Sequence, residues 1–377
     1  MKPHYLPFFL VVLVFVSCGE KKKADPYARV GAHLDSLVAG VKDFSGVLLV
    51  ADSGKTIYHK AFGYRNFDTK EPIDTASVFE LASVSKQFTS MVIMMLKEEG
   101  KLGYDDPLEK YLPIIPYKNI TIRHLLTHTS GLPDYQAVMD QHWDKTKVAG
   151  NAECIEYLVK YAPAKLFEPG EKYEYSNTGY MLLASVAEKA SGIEFISFAR
   201  ARIFAPVEMT TTDIRTQDEK SALRGMAWGH IWVNEKNAYV RADSMIQFNY
   251  GIWLGNRKGP GRISSTSSDM LKWDQELYKG TLVSNETLND AFTPMILNSD
   301  SVSNYGFGWT IQDHPLGKVV RHSGSNPGYN THIVRYTGVN RTIIMLCNNA
   351  HPKFNEILKG VEAVVGIPTF GTGLVSK

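Results

Sequence analysis

The sequence predicts an α+β domain with one antiparallel sheet, formed from the N- and C-terminal segments and flanked by helices, and a mostly helical region inserted between them. Three observations predict it. Strand-like runs stand at both ends, over residues 46–62 and 319–346. The stretch from 103 to 226 is cut into short helical segments by Pro107, Pro113, Pro116, Pro133, Pro163, Pro169 and Pro206. A hydrophobic content of 44%, with 11% aromatic residues, supplies the core that such layers need.

Taken in order, the chain opens with Lys2 and an apolar run over residues 6–16, too short for the roughly 20 residues of a membrane span. The run ends in Phe15-Val16-Ser17-Cys18-Gly19, which resembles a bacterial lipobox. The resemblance implies a signal peptide over 1–17, cleavage before Cys18 and acylation of its thiol. Residues 18–27, polar and lysine-rich, would then tether a folded domain, residues 28–377, to a membrane of the cell envelope. The alternative is a plain signal peptide that contains a cysteine.

The folded part begins with a predicted helix over 28–41 and a hairpin of strands 46–51 and 56–62, joined by the glycine-containing turn Asp52-Ser53-Gly54-Lys55. Residues 83–99 carry Val84, Phe88, Met91, Val92, Met95 and Leu96 at the helical period and stop at Gly100, which predicts a helix buried on one face. Near the C-terminus, strands are expected over 319–322, 331–336 and 342–346, then a helix over 353–365. Cys154 and Cys347 lie in separate apolar contexts and are expected as two buried thiols. Loops over 134–148 and 233–258 are expected to shape a pocket.

Forty-one basic and 39 acidic residues leave a net charge of +2, and the longest basic run is Lys21-Lys22-Lys23. A nucleic-acid partner would require a clustered positive face, which this distribution does not offer.

Three short motifs carry chemistry. In Ser83-Val84-Ser85-Lys86 the serine and lysine lie three residues apart, on one helix face, so the lysine reaches the hydroxyl. A serine needs a base to become a nucleophile, and a neutral, desolvated lysine can serve; the N-terminus of the helix favours an oxyanion nearby. The bland reading is a capping serine beside a solvated lysine. Tyr175-Ser176-Asn177 offers a phenol that an adjacent ammonium could acidify and an amide that could hold a carbonyl; the bland reading is a tyrosine packed where a helix begins. His322-Ser323-Gly324-Ser325 ends a strand, where the glycine lets a ligand approach the backbone and the next N–H could stabilise an oxyanion; a plain hairpin turn is the alternative.

Together the motifs decide. Ser-x-x-Lys, then Tyr-x-Asn about ninety residues on, then His-x-Gly near the C-terminus, resemble the class C β-lactamase, D-alanyl-D-alanine carboxypeptidase and esterase superfamily of penicillin-binding-protein type. The segments 124–133 (HLLTHTSGLP), 305–309 (YGFGW) and 263–266 (ISST) extend the resemblance along the chain. It implies a β-lactamase/transpeptidase-like fold and a serine hydrolase working without metal or organic cofactor. Ser83 would be acylated, with Lys86 and Tyr175 sharing proton transfer; which is the base stays open. Asn177, His322, Gly324 and Ser325 would meet the substrate, with the N–H groups of Ser83 and Ser325 as the oxyanion hole.

One departure bears on substrate. Penicillin-recognising members usually carry lysine where His322 stands, and a histidine largely neutral near pH 7 weakens that anchor. An esterase or a D-amino-acid peptidase is therefore expected ahead of β-lactam hydrolysis. The competing class is a non-catalytic envelope receptor for peptidoglycan fragments or a protein, which would not need the retained serine and lysine.

Two readings are set aside. His124 and His128 stand at i and i+4, but no glutamate follows the first as in His-Glu-x-x-His, so a structural role is expected rather than a metal site. Gly-x-Ser-x-Gly is absent, and with it the nucleophile elbow. His314, Trp309, Met94 and Met95 are expected in the core or at the rim.

Overall fold

The computed structural model describes Met1, residues 27–368 and Phe370; residues 2–26, with the signal-peptide, Cys18 and tether positions among them, and residues 369 and 371–377 lie outside the described residues. The central feature is a six-stranded antiparallel sheet. Its strands are β1 (Gly46–Asp52), β2 (Lys55–Phe62), β3 (Thr310–His314), β4 (Gly317–Asn326), β5 (Tyr329–Tyr336) and β6 (Arg341–Cys347). They lie in the order β3-β4-β5-β6-β1-β2. The two ends of the chain thus meet in the middle of the sheet, with Gly46 opposite Cys347 and Asp52 opposite Arg341.

Alternation explains why β1 and β6 read as continuous apolar runs. Successive side chains point to opposite faces, and both faces are covered. Val47, Leu49, Ile344 and Leu346 enter the larger core. Leu48, Val50, Ile343, Met345 and Cys347 pack on the other side, against α1 (Ala28–Ala39) and the C-terminal helix Phe354–Val365. Cys154 and Cys347 are both buried and free, as two separate thiols.

The larger core holds α2 (Lys86–Glu98), in which every residue from Lys86 to Leu96 is buried. Beside it lie α3 (Asn177–Ser191) and α4 (Ser267–Lys279). Phe88 and Trp273 pack with ring centroids 4.4 Å apart, and Gln87 Oε1 accepts from Trp273 Nε1 at 2.9 Å. At about 1.5–3 kcal/mol for each fully buried large apolar side chain, this contact region anchors α2 firmly. The Arg335–Asp274 ion pair, buried on both sides, ties β5 to α4.

Three expectations change. The helix expected from residue 83 is an α-helix only from Lys86; Ala82–Ser85 form a 3-10 turn ahead of it. The predicted loops hold regular structure, since Tyr135–His142 is a helix, Ala238–Arg241 pairs with His230–Val233, and Tyr250–Trp253 forms a short helix. Trp309 is buried as expected, but His314 ends an edge strand, β3, that the sequence did not reveal; only one of its five residues is buried, so no apolar alternation marks it.

Candidate active site

The 3-10 turn Ala82–Ser85 lies across β4 and presents Ser83, half-buried, at its surface. Ala82, immediately before it, has φ +49°, a left-handed conformation that costs a non-glycine residue free energy and persists only where its surroundings enforce it. The enforcing contacts are visible. Thr331 Oγ1 donates to the Leu81 carbonyl at 2.7 Å, and Gly324 lies so close that a Cβ there would stand 2.3 Å from that same oxygen. The absent side chain of Gly324 therefore admits the turn that carries the serine, rather than a ligand as the sequence suggested. The neighbours of Gly324, Ser323 and Ser325, are both exposed.

Ser83 does not cap α2. Its Oγ lies 3.2 Å from Lys86 Nζ, and the Ser83 hydroxyl also acts on the Tyr175 phenol, in the direction that lowers its pKa. Lys86 is fully buried, and its Nζ has two further acceptors, Asn177 Oδ1 at 2.8 Å and the Pro260 carbonyl at 2.9 Å. The rings of Tyr175 and Tyr180 flank it, with centroids at 4.7 and 5.5 Å. None of these partners is a carboxylate. Burial, assisted by the positive charge of Arg257, holds the Lys86 ammonium well below the usual lysine range.

Tyr175 behaves in the opposite sense. Desolvation outweighs its bond to Ser83 and pushes the phenol above its ordinary value, although 40% of the residue faces solvent. The sequence allowed an ammonium to acidify this phenol; burial of the lysine disfavours that ammonium.

His322 is buried, and both ring nitrogens are engaged. Nε2 pairs with Tyr305 Oη at 2.7 Å and Nδ1 with the Ser323 carbonyl at 2.6 Å, so the ring donates from Nδ1 and accepts at Nε2. Burial first, and then the proximity of Lys86, push its pKa down to about 3. The imidazole is therefore neutral and stands behind the site as a support, with no free donor for a substrate.

His128, which sequence reasoning gave only a structural role, supports the site from another side. Its Nδ1 accepts from the Ser176 N–H at 3.0 Å, and its ring packs on Tyr175 and Tyr305 at centroid distances of 4.3 and 4.6 Å. His124 instead accepts at Nδ1 from the Thr121 N–H, in a capping box of the helix Ile122–Leu126. The Thr178 hydroxyl donates to the Pro133 carbonyl at 2.7 Å and the Tyr180 hydroxyl to the Leu126 carbonyl at 2.8 Å, so the 124–133 segment buttresses the turn of α3 that aims Asn177. Gly308, at φ +80°, does the same for α2; a Cβ there would lie 3.0 Å from the backbone of Gln87. Sequence reasoning missed the Pro260 carbonyl and Arg257, because a backbone oxygen and an isolated arginine leave no pattern.

Among known proteins, the profile of the family described as Beta-lactamase matches residues 34–366. The chain belongs to the Beta-lactamase family. This family member is 40% identical over 342 residues, 88% of its own length and 75% of the relative's, to penicillin-binding protein 4* of Bacillus subtilis (strain 168). It is 25% identical over 288 residues to a D-aminopeptidase of Brucella anthropi, covering 75% of this chain and 52% of that protein. The crystal structure of a penicillin-binding protein from Bacillus halodurans superposes with a TM-score of 0.76 at 27% identity, over 88% of this chain and 98% of that one. The fold is that of β-lactamases and transpeptidases, and the family is one of serine hydrolases.

Proposed function

We propose that the protein hydrolyses an ester or amide bond through an acyl-enzyme on Ser83, with Lys86 as the base. The observation that carries this reading is the set of partners around Lys86 Nζ: one hydroxyl, one amide oxygen and one carbonyl, all neutral, in a buried place. A neutral amine there donates two protons, to Asn177 and Pro260, and accepts the third contact from the Ser83 hydroxyl.

In the first step the Ser83 proton moves to Lys86 as Oγ bonds to the substrate carbonyl carbon. Collapse of the adduct breaks the bond to the leaving oxygen or nitrogen, which takes the proton, with Tyr175 positioned to relay it. Water then repeats the sequence on the acyl group, with Lys86 again accepting the proton, and frees the acid. The N–H groups of Ser83 and Ser325 are assigned to the developing oxyanion, and Asn177 to the substrate as well as to Lys86.

The substrate reading rests on His322. With both nitrogens occupied and the ring neutral, β4 offers no cation at that position for a carboxylate such as that of a β-lactam. An ester or a D-amino-acid amide or peptide is therefore favoured, in keeping with the D-aminopeptidase relative. We further propose that Cys18 is lipidated and holds the hydrolase at the bacterial cell envelope.

Incubation with a fluorophosphonate, alongside turnover of nitrophenyl esters, D-amino-acid amides and nitrocefin, tests the reading. Wild type is expected to label and to turn over esters or amides faster than nitrocefin, and Ser83→Ala to do neither. A wild type that neither labels nor turns over, matching Ser83→Ala in every assay, would leave the non-catalytic receptor in its place. Mass spectrometry of the membrane fraction is expected to find a diacylated or triacylated N-terminal Cys18; a soluble chain beginning elsewhere would refute the anchor.

A further inference from the structure

Residues 256–260 form a wall between the Lys86 site and a cavity on the far side. Facing α2, the Pro260 carbonyl accepts from Lys86 and the Gly259 carbonyl from Thr89 Oγ1 at 2.8 Å. Gly259 packs so tightly that a Cβ would lie 2.1 Å from the Tyr180 carbonyl. On the other side, Asn256, Arg257 and Lys258 border a concave cavity of about 590 Å³, closed by α3 and the helix Asn151–Tyr161. Asn151 clamps the wall to that helix, accepting from Lys258 N at 2.8 Å and donating to Lys258 O at 3.2 Å. The volume lies in the range of small-molecule sites.

The lining surface is mostly apolar, through Leu112, Ile155, Ile196 and Ile214, with cations and two carboxylates, Glu153 and Glu188, set into it. Lys258 is neutralised by Glu188 and Glu194. Arg215, half-buried, makes no ion pair among the described residues but has Asp213, Glu219 and Asp269 in its surroundings, whereas Arg257 is buried. Arg215 donates to the Ser264 hydroxyl and the Thr211 carbonyl. Arg257, 6% exposed, donates to Tyr135 Oη at 2.6 Å, and its Nε is buried without a partner. Neither guanidinium has an ion-pair partner among the described residues. For Arg257, a buried cation without an ion pair is costly, and an arginine fork is the donor best matched to a carboxylate.

We propose that this cavity binds an amphiphilic monoanion, an alkyl or aryl carboxylate, with its carboxylate at Arg215 and Arg257 and its apolar body along Ile155, Ile196 and Ile214. The site is distinct from the Ser83 site but coupled to it. The groups facing Lys86 are Ser83, Asn177, Tyr175, Tyr180, His128, His322 and the Pro260 carbonyl, all neutral, and Arg257 is the charged group that opposes its protonation. A carboxylate on Arg257 cancels that opposition. Lys86 then holds its proton to higher pH, and hydrolysis slows in mildly acidic solution. This coupling rests on the proposed role of Lys86 as base; the binding site does not.

Equilibrium dialysis of labelled octanoate against the full chain tests the site. The exposed Ala152, on the cavity lining, gives a space-filling variant, Ala152→Trp. Saturable one-to-one binding is expected in wild type, abolished in Ala152→Trp and weakened about tenfold in Arg215→Gln, the loss of a charged hydrogen bond. Octanol should not displace octanoate. Absence of saturable binding, equal binding by both variants, or full displacement by octanol would overturn the proposal. For the coupling, octanoate is expected to slow nitrophenyl-ester hydrolysis at pH 6 in wild type and not in Ala152→Trp; an unchanged wild-type rate would refute it. Should no ester be hydrolysed at all, the dialysis result still decides the site.

Discussion

Lys86 Nζ lies 2.8 Å from Asn177 Oδ1, ninety-one residues further along the chain. The contact joins the first turns of α2 and α3, and it fixes the amine between a nucleophile on its own helix and an amide from another. Because the amide oxygen carries no full charge, it holds the amine in place while stabilising the ammonium less than a carboxylate would.

The pH profile should reflect that arrangement. Burial and Arg257 lower the Lys86 pKa, so the neutral amine forms at a pH below the ordinary lysine range, and activity falls as pH drops through the lowered value. Lys86→Ala is expected to cut the acylation rate by about 10²–10⁴, the usual contribution of a general base. Fluorophosphonate labelling rates measured between pH 5 and 10 check both points. A Lys86→Ala chain that labels at the wild-type rate would exclude the assigned role.

Tyr175→Phe should be milder. Its phenol is pushed above the ordinary tyrosine value, so it stays protonated up to pH 10 and acts as a relay rather than as the primary base. The loss expected in kcat is smaller than for Lys86→Ala, with the acid limb of the profile in place. A loss equal to that of Lys86→Ala, with the acid limb abolished, would transfer the base role to Tyr175.

His322 provides a stability test with a defined sign. Its pKa is about 3 in the folded protein and near 6.5 when exposed, so the unfolded chain binds the extra proton between those values. The stability it contributes is complete above pH 6.5 and is lost as pH falls toward 3. Urea titrations from pH 7 to pH 4 should show a falling midpoint, and His322→Gln should reduce the slope. His332, also pushed down to about 3, and His128, His59, His124 and His230 are shifted in the same direction, and carboxylates held low, such as Glu80 and Asp106 at about 2, add to the fall. An identical slope in the variant would mean that His322 is accessible to protons in the folded state.

Gly324→Ala should damage stability and catalysis together. The new methyl would meet the Leu81 carbonyl and Thr331 Oγ1, each 2.3 Å away, and overpacking of this kind costs about 1–3 kcal/mol. Because the displaced turn carries Ser83, kcat is expected to fall even in the fraction that stays folded. Thermal melting and active-site titration separate the two effects; wild-type values in both would mean that the strand accommodates the methyl.

Much of this was legible in the residues. The apolar runs of β1 and β6 exist because both faces of the sheet are covered, and they mark the central strands without reference to anything else. The period of α2 marks its burial, and the order of Ser83, Lys86, Tyr175, Asn177 and the His322–Ser325 turn carries the family. The edge strand β3 was not legible, because an exposed strand has no apolar alternation to show.

What only the tertiary structure decided is the state of each group. The Ser83–Lys86 spacing is local, but the low proton affinity of Lys86 arises from burial and from Arg257, 171 positions further along the sequence. His322 was read as a weakened anchor for a substrate; packing made it a neutral support for Tyr305. Gly324 was read as room for a ligand, and it is room for the turn that holds the nucleophile. Motif order follows from covalent sequence, whereas protonation and access follow from which distant surfaces exclude water around a side chain, and only the assembled fold brings those surfaces together.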